Sequence, residues 1–193
     1  MFEVLIKAIN EKVQLTTEEE QICKTFFQSK KLRKKQFLLQ QDEVSKYTAF
    51  VEKGVLRSYT TDEKGYEHIV QFAFEGWWVA DMYSFLTGEP SSYNIDALEE
   101  SDLLLLTKQA NEELLTTVPK MERYFRILTQ NALIAMQRRL VSSLSMSAEE
   151  KYTRLLSSYP DISQKVPQHM LASYLGITPE TLSRIRKQIA TRK

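Results

Sequence analysis

The sequence predicts an α+β chain: an antiparallel β barrel or jelly roll, then a long helix, then a C-terminal pair of helices joined by a tight turn. Three observations carry this expectation. Between Phe37 and Thr107, short apolar segments rich in β-branched and aromatic residues are separated by turn signals. After Pro119, apolar residues recur at spacings near 3.6. Residues 166–190 read VPQHMLASYLGITPETLSRIRKQIA, with a Gly and a Thr-Pro pair where one helix would end and the next begin.

Residues 1–29 read as helical. Val4, Leu5, Ala8 and Ile9 share a face, and Thr17 with Glu20 is placed to form a capping box ahead of Ile22, Phe26 and Phe27. The basic run Lys30, Lys31, Arg33, Lys34 and Lys35 reads as a solvated loop. The segments FLLQQ, YTAFVEKG, VLRSYT, YEHIVQFAF, WWVADM, SYNIDALE and SDLLLLT follow as strands. The stretch from Thr61 to Gly65 reads as a hairpin loop, with Gly where a positive φ is cheap. Lys108 to Thr117 forms a short helix.

Pro119, a good first-turn residue, opens a helix reaching about Met146. At 1.5 Å per residue it is roughly 40 Å long. Tyr124, Phe125, Leu128, Ala132, Ala135, Met136, Leu140 and Leu144 form its apolar side. A helix of that length and apolarity needs a partner: its own barrel, a second copy of itself, or both. Ser147 and Glu150 form a capping-box pattern before a helix ending near Tyr159 and Pro160.

Val166 to Leu175 then reads as a short helix ended by Gly176 in a left-handed C-terminal position. Ile177 plugs the space between the two helices. Thr178 is the N-cap and Pro179 the first residue of the last helix. Leu182, Ile185 and Ile189 point inward. This is the pattern of a helix-turn-helix. Its outer face carries Glu180, Thr181, Ser183, Arg184 and Lys187. An arginine can donate two bonds to guanine O6 and N7, and a glutamate can accept from cytosine N4. Arg186, Lys187, Arg192 and Lys193 suit phosphates. The DNA-binding candidates are therefore Thr178, Glu180, Thr181, Ser183, Arg184 and Lys187.

Charge points the same way. Residues 1–119 hold 13 Lys and Arg against 20 Asp and Glu, a net of −7, whereas residues 120–193 hold 13 against 5, a net of +8. A basic back half is suited to a polyanion. Other classes are disfavoured. Cys23 is the single cysteine, and His68 and His169, far apart in sequence, are the only histidines. An internal disulfide, a thiolate zinc site and an iron–sulfur cluster within one chain are excluded, and no metal or catalytic residues are assigned. A cupin-like barrel enzyme is poorly supported for the same reason. A binding module with a vestigial helix-turn-helix is the stronger alternative. No apolar run approaches the ~20 residues needed to span a bilayer. The N-terminus lacks a signal-peptide pattern, which places the chain in the cytoplasm.

LASYLGITPETLSRI resembles the helix-turn-helix of the CRP/FNR family of bacterial regulators. FVEKGVLRSYTTDEKGYEHIVQFAFEGWWVADM likewise follows that family's strand, Gly, strand, turn, strand pattern. The resemblance implies a cyclic-nucleotide-binding-like jelly roll over residues 1–118, a dimerisation helix over 119–146 and a DNA-binding domain over 147–193. It implies a homodimer on double-stranded DNA, with RNA polymerase as a candidate partner and a small-molecule effector of unknown identity. Glu180, Ser183 and Arg184 match the E-x-x-S-R pattern of the FNR branch, where the Glu and Arg read a half-site containing TGA-type bases. Two departures matter. The family's cyclic-nucleotide cassette reads Gly-Glu-Leu followed by Arg-Ser-Ala, but here the corresponding places read Ala80-Asp81-Met82 and Ser91-Ser92-Tyr93. Without the arginine, cyclic AMP is not expected to bind in the usual way. The sequence after Ala190 is also short for a two-stranded wing. Candidate effector residues are Arg57, Trp78, Asp81, Met82, Ser91, Ser92 and Tyr93. No cofactor is assigned. The aromatic residues Trp77, Trp78, Tyr83 and Tyr93 suit core packing better than ligand contact, and Arg57 suits an ion pair.

Overall fold

The structure is a computed structural model that describes residues 1–191. Arg192 and Lys193, expected at phosphates, lie outside the described residues.

The chain opens with α1 (Glu3–Asn10) and α2 (Thr17–Thr25). Eight strands follow: β1 (Gln28–Leu32), β2 (Phe37–Leu39), β3 (Tyr47–Lys53), β4 (Val55–Thr61), β5 (Glu67–Phe74), β6 (Trp78–Val79), β7 (Asn94–Ala97) and β8 (Ser101–Thr107), with α3 (Met82–Thr87) between β6 and β7. Then come α4 (Lys108–Thr117), α5 (Lys120–Ser145), α6 (Ala148–Ser158), α7 (Ile162–Lys165), α8 (Gln168–Leu175) and α9 (Pro179–Thr191). The strands form two antiparallel four-stranded sheets, ordered β1-β8-β3-β6 and β2-β7-β4-β5. This is the expected jelly roll.

Three apolar clusters explain the sequence patterns. Leu32, Leu39, Ala49, Val51, Leu56, Ala73, Val79, Ile95, Ala97, Leu103 and Leu105 fill the barrel between the sheets. A second cluster lies outside it and joins Phe50, Leu104 and Leu106 to Leu5, Ile9, Leu114, Met121 and Tyr124 of the helices. The two clusters account for the unbroken Leu103–Leu106 run. Alternate leucines enter the barrel while the others pack under helices, so both faces of β8 are apolar. The third cluster joins Tyr59, Ile69 and Phe72 of the other sheet to Tyr152, Leu155, Ile162, Val166, Leu171, Ala172, Leu182 and Ile185. The C-terminal helices thus pack on their own barrel.

Local signals mostly act where expected. Ser147 and Glu150 form a capping box at α6. The first box is shifted by one residue. Thr16 Oγ1 accepts from Glu19 N at 3.2 Å and Glu19 Oε2 accepts from Thr16 N at 2.7 Å, so Thr16 and Glu19 cap α2 in place of Thr17 and Glu20. Several expectations are corrected. Lys30 and Lys31 belong to β1 rather than to a loop, because their strand pairs with β8 and buries Leu32. WWVADM is a strand only at Trp78 and Val79, since Asp81 caps α3 by accepting from Ser84 N at 3.2 Å. The short α7 was not anticipated, and the helix expected from Val166 starts after Pro167. At the N-terminus, the carboxylate of Glu52 on β3 accepts from the amides of Val4 at 2.9 Å and Leu5 at 3.2 Å, pinning the start of α1 to the barrel.

The first half of α5 is buried through Met121 and Tyr124, whereas residues 129–141 are exposed throughout. Leu133, Ile134, Met136, Leu140, Val141 and Leu144 all stand in solvent, Leu144 at 80%.

Candidate nucleic-acid interface

α8 stops because Gly176 takes φ 68°, a left-handed conformation that is free of Cβ strain only in glycine. Gly176 N donates to Ser173 O at 3.0 Å and Ile177 N to Ala172 O at 3.0 Å, which satisfies those two carbonyls of the last turn of α8. Thr178 then caps α9, its Oγ1 accepting from Thr181 N at 3.2 Å. Pro179 follows at the first helical position, where its missing N–H is harmless. Leu182 and Ile185 are buried in the third cluster and Ile189 packs against it, which fixes the rotation of α9.

That rotation turns the opposite face outward. Glu180, Arg184, Arg186 and Lys187 are exposed, while Thr181 and Ser183 are half-buried. Pro179, Glu180, Ser183, Arg184 and Lys187 line one shallow open depression on the surface. Among the described residues, the side chains of Glu180, Arg184 and Lys187 make no hydrogen bond or ion pair, so their full donor and acceptor capacity faces solvent. Thr178 and Thr181 differ. The Thr178 hydroxyl is engaged by the cap and donates to Thr181 Oγ1 at 3.1 Å, which suits these two to shaping the helix start. Arg186 donates to Gln168 Oε1 at 2.9 Å, tying α9 to the first turn of α8. α9 extends to Thr191, and no wing strand follows it among the described residues.

The residues expected around an effector do not converge on one pocket. Arg57 and Asp96 are cross-strand partners on the outer face of β4 and β7, opposite the barrel-filling Leu56, Ile95 and Ala97. Arg57 Nε donates to Asp96 Oδ1 at 2.8 Å and Nη2 to Asp96 Oδ2 at 3.0 Å. Its remaining donors reach Glu67, with Nη2 at 3.2 Å from Oε1 and Nη1 on Oε2. The guanidinium also stacks 4.1 Å from the Tyr59 ring. Burial alone would lower its pKa, but the bonds from Asp96 and then Glu67 outweigh that and raise it. Arg57 is thus an ion-pair residue, outside the barrel.

Trp78 belongs to the helix-facing cluster. It packs against Phe27, Phe50 and Phe125, and its ring N–H donates to the Tyr124 hydroxyl at 3.1 Å. Burial pushes that phenol up to about 12. Asp81 and Ser91 do meet, with Ser91 Oγ donating to Asp81 Oδ2 at 2.7 Å and accepting from Tyr93 N at 3.0 Å. Met82 and Ser92 are exposed and Tyr93 is half-buried. Trp77 was expected in the core, and it stacks between Phe74 and Tyr159 at ring distances of 5.5 and 5.3 Å.

Residues 29–118 match the cyclic nucleotide-binding domain family. Across the whole chain, the similarity is to regulators. The fumarate and nitrate reduction regulatory protein of Vibrio cholerae is 24% identical over 182 residues, covering 88% of this chain and 71% of that protein. The regulatory protein HlyX of Actinobacillus pleuropneumoniae is 25% identical over 169 residues, covering 81% of this chain and 69% of that one. The structure of FixK2 from Bradyrhizobium japonicum superimposes with a TM-score of 0.75 at 20% identity, covering 86% of this chain and 85% of that one.

The domain family implies a cyclic nucleotide, but the residues present do not fit its phosphate. Ser91 stands where the cassette's arginine would be, and beside it Asp81, 2% exposed, has a carboxylate that already accepts from Ser84 N and Ser91 Oγ. A cyclic phosphate placed there would meet a buried anion of like charge with no balancing cation. Arg57 cannot stand in, because it is engaged on the outer face of the sheet. The nucleotide cassette has diverged while the scaffold around it persists. Jelly roll, long helix and C-terminal helix-turn-helix lie in this order in one chain, which carries a match to the cyclic nucleotide-binding domain family and is similar along most of its length to bacterial regulators such as these.

Proposed function

We propose that this protein is a homodimeric transcription regulator that reads a two-fold symmetric DNA site through α9. The observation carrying this reading is the outward face of that helix, where Glu180, Ser183, Arg184 and Lys187 share one depression. Arg184 reads guanine, Glu180 accepts from cytosine N4, and Ser183 sits between them. Lys187 and Arg186 hold backbone phosphates. Thr178 and Thr181 set the helix start that approaches the groove.

The division of labour follows the fold. Residues 1–118 are the sensor, 119–146 the dimerisation helix and 147–193 the DNA-binding domain. The exposed apolar side of α5 is suited to a second copy, giving two recognition helices about one helical turn of DNA apart. The effector, if one acts, is not cyclic AMP, and RNA polymerase is a further candidate partner. The relatives named above are regulators rather than enzymes, and among the described residues no helix is long and apolar enough to cross a membrane. We place the protein in the cytoplasm, where its DNA target lies.

The test is fluorescence anisotropy with genomic upstream duplexes across a salt series. Log affinity should fall linearly against log salt. A protein retained by no duplex at low salt would leave a binding module with a vestigial helix-turn-helix as the better reading.

A further inference from the structure

The exposed backbone of an edge strand is ordinarily a liability, since its unpaired N–H and C=O groups invite another chain. β5 is the edge of its sheet, with β4 on its other side. Its free edge is covered from within the molecule, at one place, by two side chains from different elements. Ser173 of α8 accepts from Ile69 N at 3.0 Å and donates to Glu67 O at 2.9 Å. One hydroxyl so takes the two bonds that a neighbouring strand residue would make. Arg139 of α5 donates to Val70 O and, at 3.3 Å, to Ile69 O. Its guanidinium lies 4.4 Å from the centre of the Tyr174 ring, and Tyr174 packs on Phe72 at 5.3 Å.

The strand is shaped for this. The β4–β5 register shifts between Ser58 and Tyr59, which leaves Val70 as the extra residue of a β-bulge. Bulges re-aim backbone groups, and here Val70 O faces Arg139. The bulge also lets Ile69 and Phe72 share the outer face on which α8 rests. On the same outer face Glu67 is held by Arg57 of β4, so the strand that receives Ser173 is also tied to its neighbour in the sheet. The docked helix-turn-helix keeps Glu180, Arg184 and Lys187 in solvent, so the contact orients the reading face and does not mask it.

We infer that Ser173 and Arg139 are positioning residues that lock the helix-turn-helix onto β5 at one angle to α5, and so set the half-site spacing a dimer accepts. The inference rests on the DNA-reading function proposed above. A dimer gains avidity only when both reading heads reach their half-sites together, and a fixed angle allows this at one spacing. A head without these bonds still rests on the apolar surface of Ile69 and Phe72 but is free to shift across it, and so reaches several spacings with less gain at each.

Two measurements test this, on the full chain, with Ser173→Ala and with Arg139→Lys, which keeps the charge but loses the flat fork and the stacking. The first needs no DNA. In wild type the Ile69 amide should resist hydrogen exchange, and Ser173→Ala should speed its exchange at least about tenfold while thermal unfolding stays cooperative. The second uses duplexes carrying inverted TGA half-sites, with the spacer varied one base pair at a time. Wild type should prefer one spacer by roughly a hundredfold, and both variants should flatten this to under about tenfold while single half-site affinity is kept. An unprotected Ile69 amide in wild type would show that the lock does not exist. Protection at Ile69 with an unchanged spacing profile in both variants would overturn the positioning role. Protection at Ile69 with no wild-type affinity for any duplex would instead refute the DNA-reading function, and the spacing role with it.

Discussion

Arg184 and Lys187 share one depression but should fail differently when truncated. Arg184→Ala is expected to lose about 1–3 kcal/mol of discrimination at one base position, whereas Lys187→Ala should weaken all sequences about equally and flatten the salt slope by about one. Competition binding with single-base operator variants separates the two, and equal losses on every sequence for both would remove Arg184 as a base reader. Arg57 poses a stability question. Its side chain and that of Asp96 are 8% and 7% exposed. Arg57→Ala leaves Asp96 as a buried anion without its cation, and thermal or denaturant unfolding should record about 3–5 kcal/mol of destabilisation. The capping carboxylates define a pH response. Glu19 is held below the ordinary value of 4.5 by Lys120 and then by Thr16 N, and Glu150 by the hydroxyl and then the amide of Ser147. A carboxyl whose folded pKa is depressed stabilises the fold above the unfolded value, and that stabilisation is lost as pH falls through the folded one. Circular dichroism should therefore show α2 and α6 fraying in acid below about pH 4.5, and Glu150→Gln should remove the α6 part of that response. Residues such as Thr178, Gly176 and Ser147 were legible in sequence because a cap is decided within four or five neighbours. Thr16 was misjudged by one place because two threonines precede three consecutive glutamates, and only packing chooses between registers. Arg57 reads both as an effector candidate and as an ion-pair residue in sequence, which shows a strand but not which face of it turns outward.

At the scale of elements, α5 joins two environments. Its start is buried against the barrel and its later turns expose Leu133, Met136, Leu140 and Leu144 at spacings of three and four. That spacing is the seam of a helix pair. Leu140→Glu is expected to turn a dimer into a monomer in multi-angle light scattering and to lower affinity for a two-half-site duplex by about a hundredfold or more. A dimer that survives the substitution would mean that another surface joins the protomers. The length and periodicity of this helix were readable directly. The contact between α8 and β5 was not, because Ser173 and Ile69 are separated by 104 positions and neither residue type announces a partner.

At the scale of the molecule, the scaffold and the nucleotide cassette are separable. The barrel keeps its apolar filling while the phosphate place holds the Asp81–Ser91 pair. Isothermal titration with cyclic AMP is expected to give no saturable heat, and a micromolar isotherm would show that the cassette rearranges to admit the phosphate. The jelly roll was legible because turn residues separate its strands. The departure of the cassette from the family's pattern was legible because a missing arginine is visible in a string of letters. The distribution of the candidate effector residues over three environments became visible only once each side chain had a face.

Glu52 bears on how the sensor could be shortened. The family domain is matched from residue 29 onward, which invites excision of everything before it. Yet Glu52 is 8% exposed, and the amides of Val4 and Leu5 donate to its carboxylate. A barrel trimmed to the family boundary would keep this anion and lose those donors, together with the apolar cover of Leu5 and Ile9 over Leu104 and Leu106. The first helix is thus part of the smallest folding unit, and a fragment that begins at residue 29 should aggregate where one that begins at residue 1 stays monodisperse.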